Sequence, residues 1–117
     1  MKKIYHLSTC NTCQRIIKEL QPLDGFIVQD IKTEPISKIQ LEGMRELTDS
    51  YESLFSRRAV LFRERNLKNS NLTEEDYKDL ILEHYTFLKR PVLIVDDKIF
   101  IGNSKKVVDA AKQTIHS

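Results

Sequence analysis

The opening thirty or so residues constrain the fold more than any other part of the chain. Ile4-Tyr5-His6-Leu7 is a short apolar run that reads as a first strand. Ile16, Ile17 and Leu20 then recur at helical spacing. Phe26-Ile27-Val28-Gln29-Asp30-Ile31 is rich in β-branched residues and reads as a second strand. Strand, helix, strand within about 30 residues is a βαβ unit, whose two strands run parallel with the helix crossing between them. The polar hexapeptide Ser8-Thr9-Cys10-Asn11-Thr12-Cys13 is the loop that turns strand into helix. Its Ser, Thr and Asn residues are candidates to cap the helix's orphan N–H groups. Leu23-Asp24-Gly25 is expected to close the helix, with Gly25 in the left-handed position beyond a C-cap.

Beyond this unit the pattern turns helical. Ser37 and Gln40 form a capping box, Ile36 with Leu41 fits a hydrophobic staple, and Leu41, Met44 and Leu47 make one stripe, weakened somewhat by Gly43. Val60, Leu61 and Leu67 suggest another helix within 53–67. Thr73 caps a further one, with acids in its first turn and Tyr77, Leu80, Ile81, His84 and Leu88 along one face. On that face His84 is expected to be a core histidine. Arg90-Pro91 breaks the pattern. Val92 to Val95 and Lys98 to Gly102 follow as two strands of a hairpin turning at Asp96-Asp97. Asn103 or Ser104 caps a last helix that turns Val107, Val108, Ala111 and Ile115 inward. The expected class is α/β: a four-stranded mixed sheet in the order β-α-β, then β-β-α, with a helical insertion at about 36–88 between the second and third strands, all in a single domain.

Composition narrows the function. The chain has 117 residues, is 40% hydrophobic and 31% charged, and holds only three Gly and three Pro, which excludes collagen, low-complexity disorder and a disulfide-dense scaffold. It has no apolar run of about 18 residues, the length a membrane span needs, and its start lacks the long apolar stretch of a secretory signal. A cytoplasmic protein with no membrane contact is expected. Nineteen Lys and Arg against seventeen Asp and Glu give a net charge of +2, which does not argue for direct nucleic-acid binding. The charge is uneven along the chain. Arg57, Arg58, Arg63, Arg65 and Lys68 face one acid, Glu64, between 56 and 68, while Glu74, Glu75, Asp76 and Asp79 cluster just beyond. Clusters of this kind are ordinarily solvated helix faces.

The two cysteines, Cys10 and Cys13, lie in one Cys-x-x-Cys after the first strand. Positions i and i+3 share a helix face, so the two sulfurs can approach. At the helix N-terminus the unpaired N–H groups and the dipole favour an anion and lower a thiol's pKa. A second thiol one turn later can resolve a mixed disulfide. This motif beside a βαβ pattern reads as thioredoxin-like redox chemistry. A zinc site is the weaker alternative, since four ligands are needed and His6, His84 or His116 would have to complete the set. His6 is a candidate proton partner for Cys10 or simply the end of a strand. Arg90 is placed to bring a guanidinium near the sulfurs, and Pro91 to present backbone there through a cis peptide. Arg grips tetrahedral oxyanions through its planar fork, and Arg58, with Arg57 and Arg15 as weaker candidates, could add a second.

At these residues the chain resembles the ArsC/Spx family, the glutaredoxin-type arsenate reductases and their regulatory relatives. The resemblance spans essentially the whole chain. It rests on Ser8-Thr9-Cys10-Asn11-Thr12-Cys13-Gln14-Arg15, Ser56-Arg57-Arg58-Ala59-Val60-Leu61-Phe62, Lys89-Arg90-Pro91-Val92-Leu93-Ile94-Val95 and Ile101-Gly102-Asn103. It implies a bacterial protein with a thioredoxin-like core. It also implies Cys10 as nucleophile, with Arg58 and Arg90 as oxyanion-holding arginines. Reductases of this type usually have Ser or Thr where Cys13 stands and a third arginine where this chain has Gly102-Asn103. Both departures are more similar to the Spx side, whose members use Cys-x-x-Cys as a redox switch and bind RNA polymerase.

Two functions follow as expectations. The first is an ArsC-like thiol–disulfide oxidoreductase, an arsenate or other oxyanion reductase. Cys10 attacks, Cys13 resolves, Arg90 and Arg58 clamp the oxyanion, and Asn11, Thr12 and Pro91 contact the substrate. No bound cofactor or metal is expected, and glutathione/glutaredoxin or thioredoxin supplies electrons. The alternative is an Spx-like redox-sensing transcriptional regulator that binds RNA polymerase, with the basic segment from Arg57 to Lys68 as a candidate contact.

Overall fold

In the computed structural model, which describes residues 1–117, four short strands form one mixed sheet in the order β2-β1-β3-β4. They are β1 (Lys2–His6), β2 (Ile27–Asp30), β3 (Val92–Val95) and β4 (Lys98–Ile101). β1 and β2 are parallel, with α1 (Asn11–Glu19) as the crossover, while β1 with β3 and β3 with β4 are antiparallel. Between β2 and β3 come α2 (Lys38–Leu47), α3 (Val60–Glu64) and α4 (Glu74–Glu83), and α5 (Lys105–Ile115) ends the chain. Single 3₁₀ turns occur at Glu52–Leu54, Leu67–Asn69 and Tyr85–Phe87. This is the α/β architecture that the periodicity implies, with the helical block between the second and third strands. No helix is long and apolar enough to cross a membrane.

The chain divides into two compact units, Met1–Glu34 with Arg90–Ser117, and Pro35–Lys89. The first contains the sheet. Its alternating side chains place Ile4 and Leu93, which are register partners, on one face. Ile16 and Leu20 from α1 and Val108 and Ala111 from α5 pack with them, and Phe100 and Ile115 close over the cluster. The Ser104 hydroxyl accepts the Val107 N–H and caps α5. His116 Nε2, 2.8 Å from the Leu20 carbonyl, links the end of α5 to the end of α1 in the tautomer protonated there.

The second unit is organised around Phe55, whose ring lies 4.9 Å from Tyr77, 5.4 Å from Phe87 and 5.9 Å from Phe62 between centroids. The expected capping box of Ser37 with Gln40 is present, and Thr73, expected as a cap, forms a second box with Asp76. The Glu74 carboxylate reaches back to accept the N–H groups of Tyr51 and Glu52, at 2.6 and 3.1 Å.

Several expectations are corrected. α1 ends at Glu19 with Leu20 as its C-cap, before Pro22, which cannot continue a helix. Gly25 does adopt a left-handed conformation, φ +80°, but in the turn into β2 rather than beyond the helix cap. The helix expected within 53–67 is one five-residue α3 between two 3₁₀ turns. Phe55 leaves helical geometry to bridge Leu88, with Ser56 N–H donating to Phe87 O at 2.7 Å and Lys89 N–H to Leu54 O at 2.8 Å. Left-handed Asn66, φ +56°, ends the helical run on the other side. His84 is not a core residue on the α4 face. It is half-buried at the C-cap, and its Nδ1 accepts the Thr86 N–H at 3.0 Å, starting the next turn.

Leu93 is 2% exposed at the centre of the first unit's cluster. Leu93→Ala is expected to cost about 2–5 kcal/mol in denaturant unfolding, against about 1 kcal/mol for loss of a cap in Thr73→Ala. Equal costs for the two would contradict the packing described.

Candidate functional site

Cys10 owes its position to a β-turn at the end of β1. Leu7 O accepts the Cys10 N–H at 2.9 Å, leaving Ser8 and Thr9 as the central turn residues. The turn is gripped from two sides. Asp30, the last residue of β2, accepts the Ser8 N–H at 3.3 Å through Oδ1 and the Ser8 hydroxyl at 2.5 Å through Oδ2. From α1, the Gln14 side-chain amide donates to Ser8 O. Neither Asp30 nor Gln14 was among the expected site residues. Parallel pairing brings the end of the second strand beside the loop that follows the first, but nothing local in the sequence marks Asp30 or Gln14 as that loop's partners.

Cys10 itself is the N-cap of α1, with extended backbone and its carbonyl accepting the Gln14 N–H at 3.1 Å. The expected caps Ser8, Thr9 and Asn11 do not serve, and no side chain makes a capping hydrogen bond of ordinary geometry there. The sulfur occupies the place a capping oxygen would take. Burial alone would raise the Cys10 thiol. The N–H and thiol of Cys13, the Thr12 N–H and the Arg90 charge outweigh that effect and hold its pKa below the usual value. Cys13, one turn later and fully buried, behaves oppositely. Burial pushes its thiol up to about 11, and the charge of Cys10 adds to the rise, while a backbone hydrogen bond with Leu7 and the Arg90 charge oppose it. Both cysteines are free thiols. Near neutral pH the half-exposed one is therefore the more ionised and the buried one stays protonated.

Of the expected residues, Asn11 is exposed and Thr12 half-buried in the first turn of α1. Arg90 and Pro91 precede β3 in the same unit, joined by a cis peptide as anticipated, and the Arg90 charge acts on both thiols. Pro91 is buried and its carbonyl accepts the Gly102 N–H at 2.9 Å. Gly102, φ +92°, therefore stands beside Pro91. Arg58 is an exposed residue of the other unit, just before α3. Arg57 is held by Glu52 at 2.7 Å and by the Tyr77 hydroxyl at 2.9 Å, and Arg15 is exposed on α1. His6 faces Asp30 across the β1–β2 register and is not among the groups that shift either thiol. No three His, Cys, Asp or Glu side chains gather within reach of one metal ion.

Residues 5–111 match the model of the ArsC family. The chain belongs to the ArsC family. Among its relatives is the global transcriptional regulator Spx of Bacillus subtilis, 25% identical over 104 residues that cover 87% of this chain and 79% of that protein. An arsenate reductase of Haemophilus influenzae is 24% identical over 110 residues, covering 90% and 93%. The crystal structure of an ArsC family related protein from Bacteroides fragilis superposes with a TM-score of 0.79 at 18% identity, covering 94% of this chain and 96% of that one, which establishes the shared fold. This ArsC-family chain thus has a thioredoxin-like core, with reductases and regulators both among its relatives.

The two thiols are expected to separate in alkylation with iodoacetamide followed by peptide mass mapping. Cys10 reacts first, with a pH midpoint below the ordinary thiol value, and Cys13 stays unreactive until pH approaches about 11. Arg90→Ala removes a positive charge and should move the Cys10 midpoint upward. Faster labelling of Cys13 would contradict the assignment.

Proposed function

We propose that this ArsC-family chain is a thiol–disulfide oxidoreductase that reduces an oxyanion, with arsenate as the first substrate to test. The observation that supports it is the opposed ionisation of the two thiols: a depressed one at a helix N-cap and a raised one a single turn behind it. Such a pair divides labour between attack and resolution.

The Cys10 thiolate attacks arsenic(V), forming an S–As bond and displacing a hydroxyl that leaves as water with one proton. The Thr12 and Cys13 N–H groups and Arg90 balance the anion's charge. Once Cys10 is bonded to arsenic its negative charge is spent, which removes one cause of the raised Cys13 pKa. Cys13 then gives up its proton and attacks the Cys10 sulfur. The S–As bond breaks with its electron pair remaining on arsenic, which leaves as arsenite, and the two thiols end as a disulfide. A glutathione/glutaredoxin or thioredoxin system returns the disulfide to two thiols.

A second reading is favoured by particular residues. Cys13 stands where reductases usually have Ser or Thr, and Gly102-Asn103 where they have a third arginine, and Spx is among the relatives. On that reading the Cys10–Cys13 disulfide is a signal, RNA polymerase is the partner, and the exposed arginines near α3 are a contact.

NADPH-coupled arsenate turnover, run separately with each donor system, is expected for the wild type and to fall to background in Cys10→Ser. Turnover retained by Cys10→Ser would sink the reductase mechanism. With glutathione, Cys13→Ser should accumulate a mixed disulfide on Cys10, seen by intact mass, and its absence would remove Cys13 from the resolving role. No turnover with either donor, together with redox-dependent capture of RNA polymerase, would establish the switch instead.

A further inference from the structure

Ser8 is the most heavily engaged residue of the loop before Cys10. Its N–H and hydroxyl both go to one carboxylate, and its carbonyl accepts from Gln14. That carboxylate is itself oriented, since Asp30 Oδ1 also accepts the Lys32 N–H at 3.2 Å. The residue after it is tied to β1 by Ile31 N–H donating to His6 O at 2.9 Å. Ser8 is also the first central residue of the turn that delivers the Cys10 N–H to Leu7 O. The end of β2 and the first turn of α1 therefore hold a single turn residue between them.

We propose that Asp30 is a positioning residue for Cys10: by gripping Ser8 it holds the Leu7–Cys10 turn in the shape that starts α1 at the Cys10 sulfur. The inference rests on Cys10 being the attacking thiolate and adds a residue outside the motif that sets its reactivity. Hydrogen bonds to a carboxylate are among the stronger ones, and a two-point grip fixes direction as well as distance. An N-cap sulfur benefits from the Thr12 and Cys13 N–H groups only while it stays directly over them. A loosened turn spends part of its time with the sulfur displaced, and the thiolate then loses that stabilisation.

The sign of the effect separates positioning from simple charge. A carboxylate near a thiolate disfavours it, so a role through charge alone requires that deleting Asp30 lower the Cys10 pKa. Positioning requires the reverse. The other ionisable groups about Asp30 are His6 across the β1–β2 register and Lys32 in its own turn, and neither differs among the variants compared.

The test is the pH profile of Cys10 alkylation by iodoacetamide in a Cys13→Ser background, which leaves one thiol to report. Asp30→Ala is expected to shift the midpoint upward and cut the thiolate fraction near neutral pH about three- to tenfold. Asp30→Asn keeps an oxygen for the Ser8 and Lys32 N–H groups and an amide facing the Ser8 hydroxyl. It loses the charge, so its midpoint should lie at or below the parent's. Ser8→Ala removes only the hydroxyl bond, should shift upward by less, and serves if Asp30→Ala does not fold. Midpoints that fall or stay put in both Asp30→Ala and Ser8→Ala overturn the proposal. A parent midpoint at or above the ordinary thiol value would instead overturn the reading of Cys10 as the activated thiol, and that result is visible before any Asp30 variant is made.

Discussion

The place where α1 begins is the constraint on which the thiol chemistry depends. Parallel pairing of β1 and β2 demands a crossover, and α1 is that crossover. Its N-terminus must then lie at the carboxyl ends of the two strands, where open α/β sheets collect their functional residues. A four-residue turn covers the distance from β1, so the first helical N–H groups follow Cys10 directly. Asp30 lies at this edge for the same reason, as the register partner of His6 at the end of β1.

Within the motif, burial makes the two cysteines unlike. Both feel the Arg90 charge and each other. Cys10 sits at the N-cap, half-exposed, with N–H dipoles directed at it, whereas Cys13 is turned inward on the helix face that also buries Ile16. The same helix that stabilises an anion at its end excludes water from the position one turn on. A thiol held low and a buried thiol held high thus lie one turn apart in one short stretch of chain.

Much of the fold was legible because the deciding signals are local. The continuous apolar run Val92–Val95, the capping residues Ser37 and Thr73, and the Pro at the head of β3 each act over a few residues. Where the reading failed, a distant partner had overridden local preference. Val60, Leu61 and Leu67 carry helical spacing, yet Phe55 pairs with Leu88 and Asn66 turns left-handed, so only a short helix forms between them. His84 fits the apolar stripe of α4, but its imidazole accepts a backbone N–H and ends the helix instead. At the site, the cysteines and Arg90 could be picked out by chemical type and spacing. Asp30 and Gln14 could not, because an Asp at a strand end and a Gln on a helix are ordinary until their partners are known.

The sequence by itself determined the element order, the βαβ crossover and the location of both thiols at the start of its helix, since these follow from periodicities of two and 3.6 and from the spacing of two residues. Only the tertiary structure decided which atoms set the thiols apart. Sequence distance says nothing about solvent exclusion or electrostatics through space. The burial of Cys13, the Arg90 charge brought from about eighty residues away, and the grip of Asp30 on Ser8 exist only once β3 and β2 have taken their places on either side of β1.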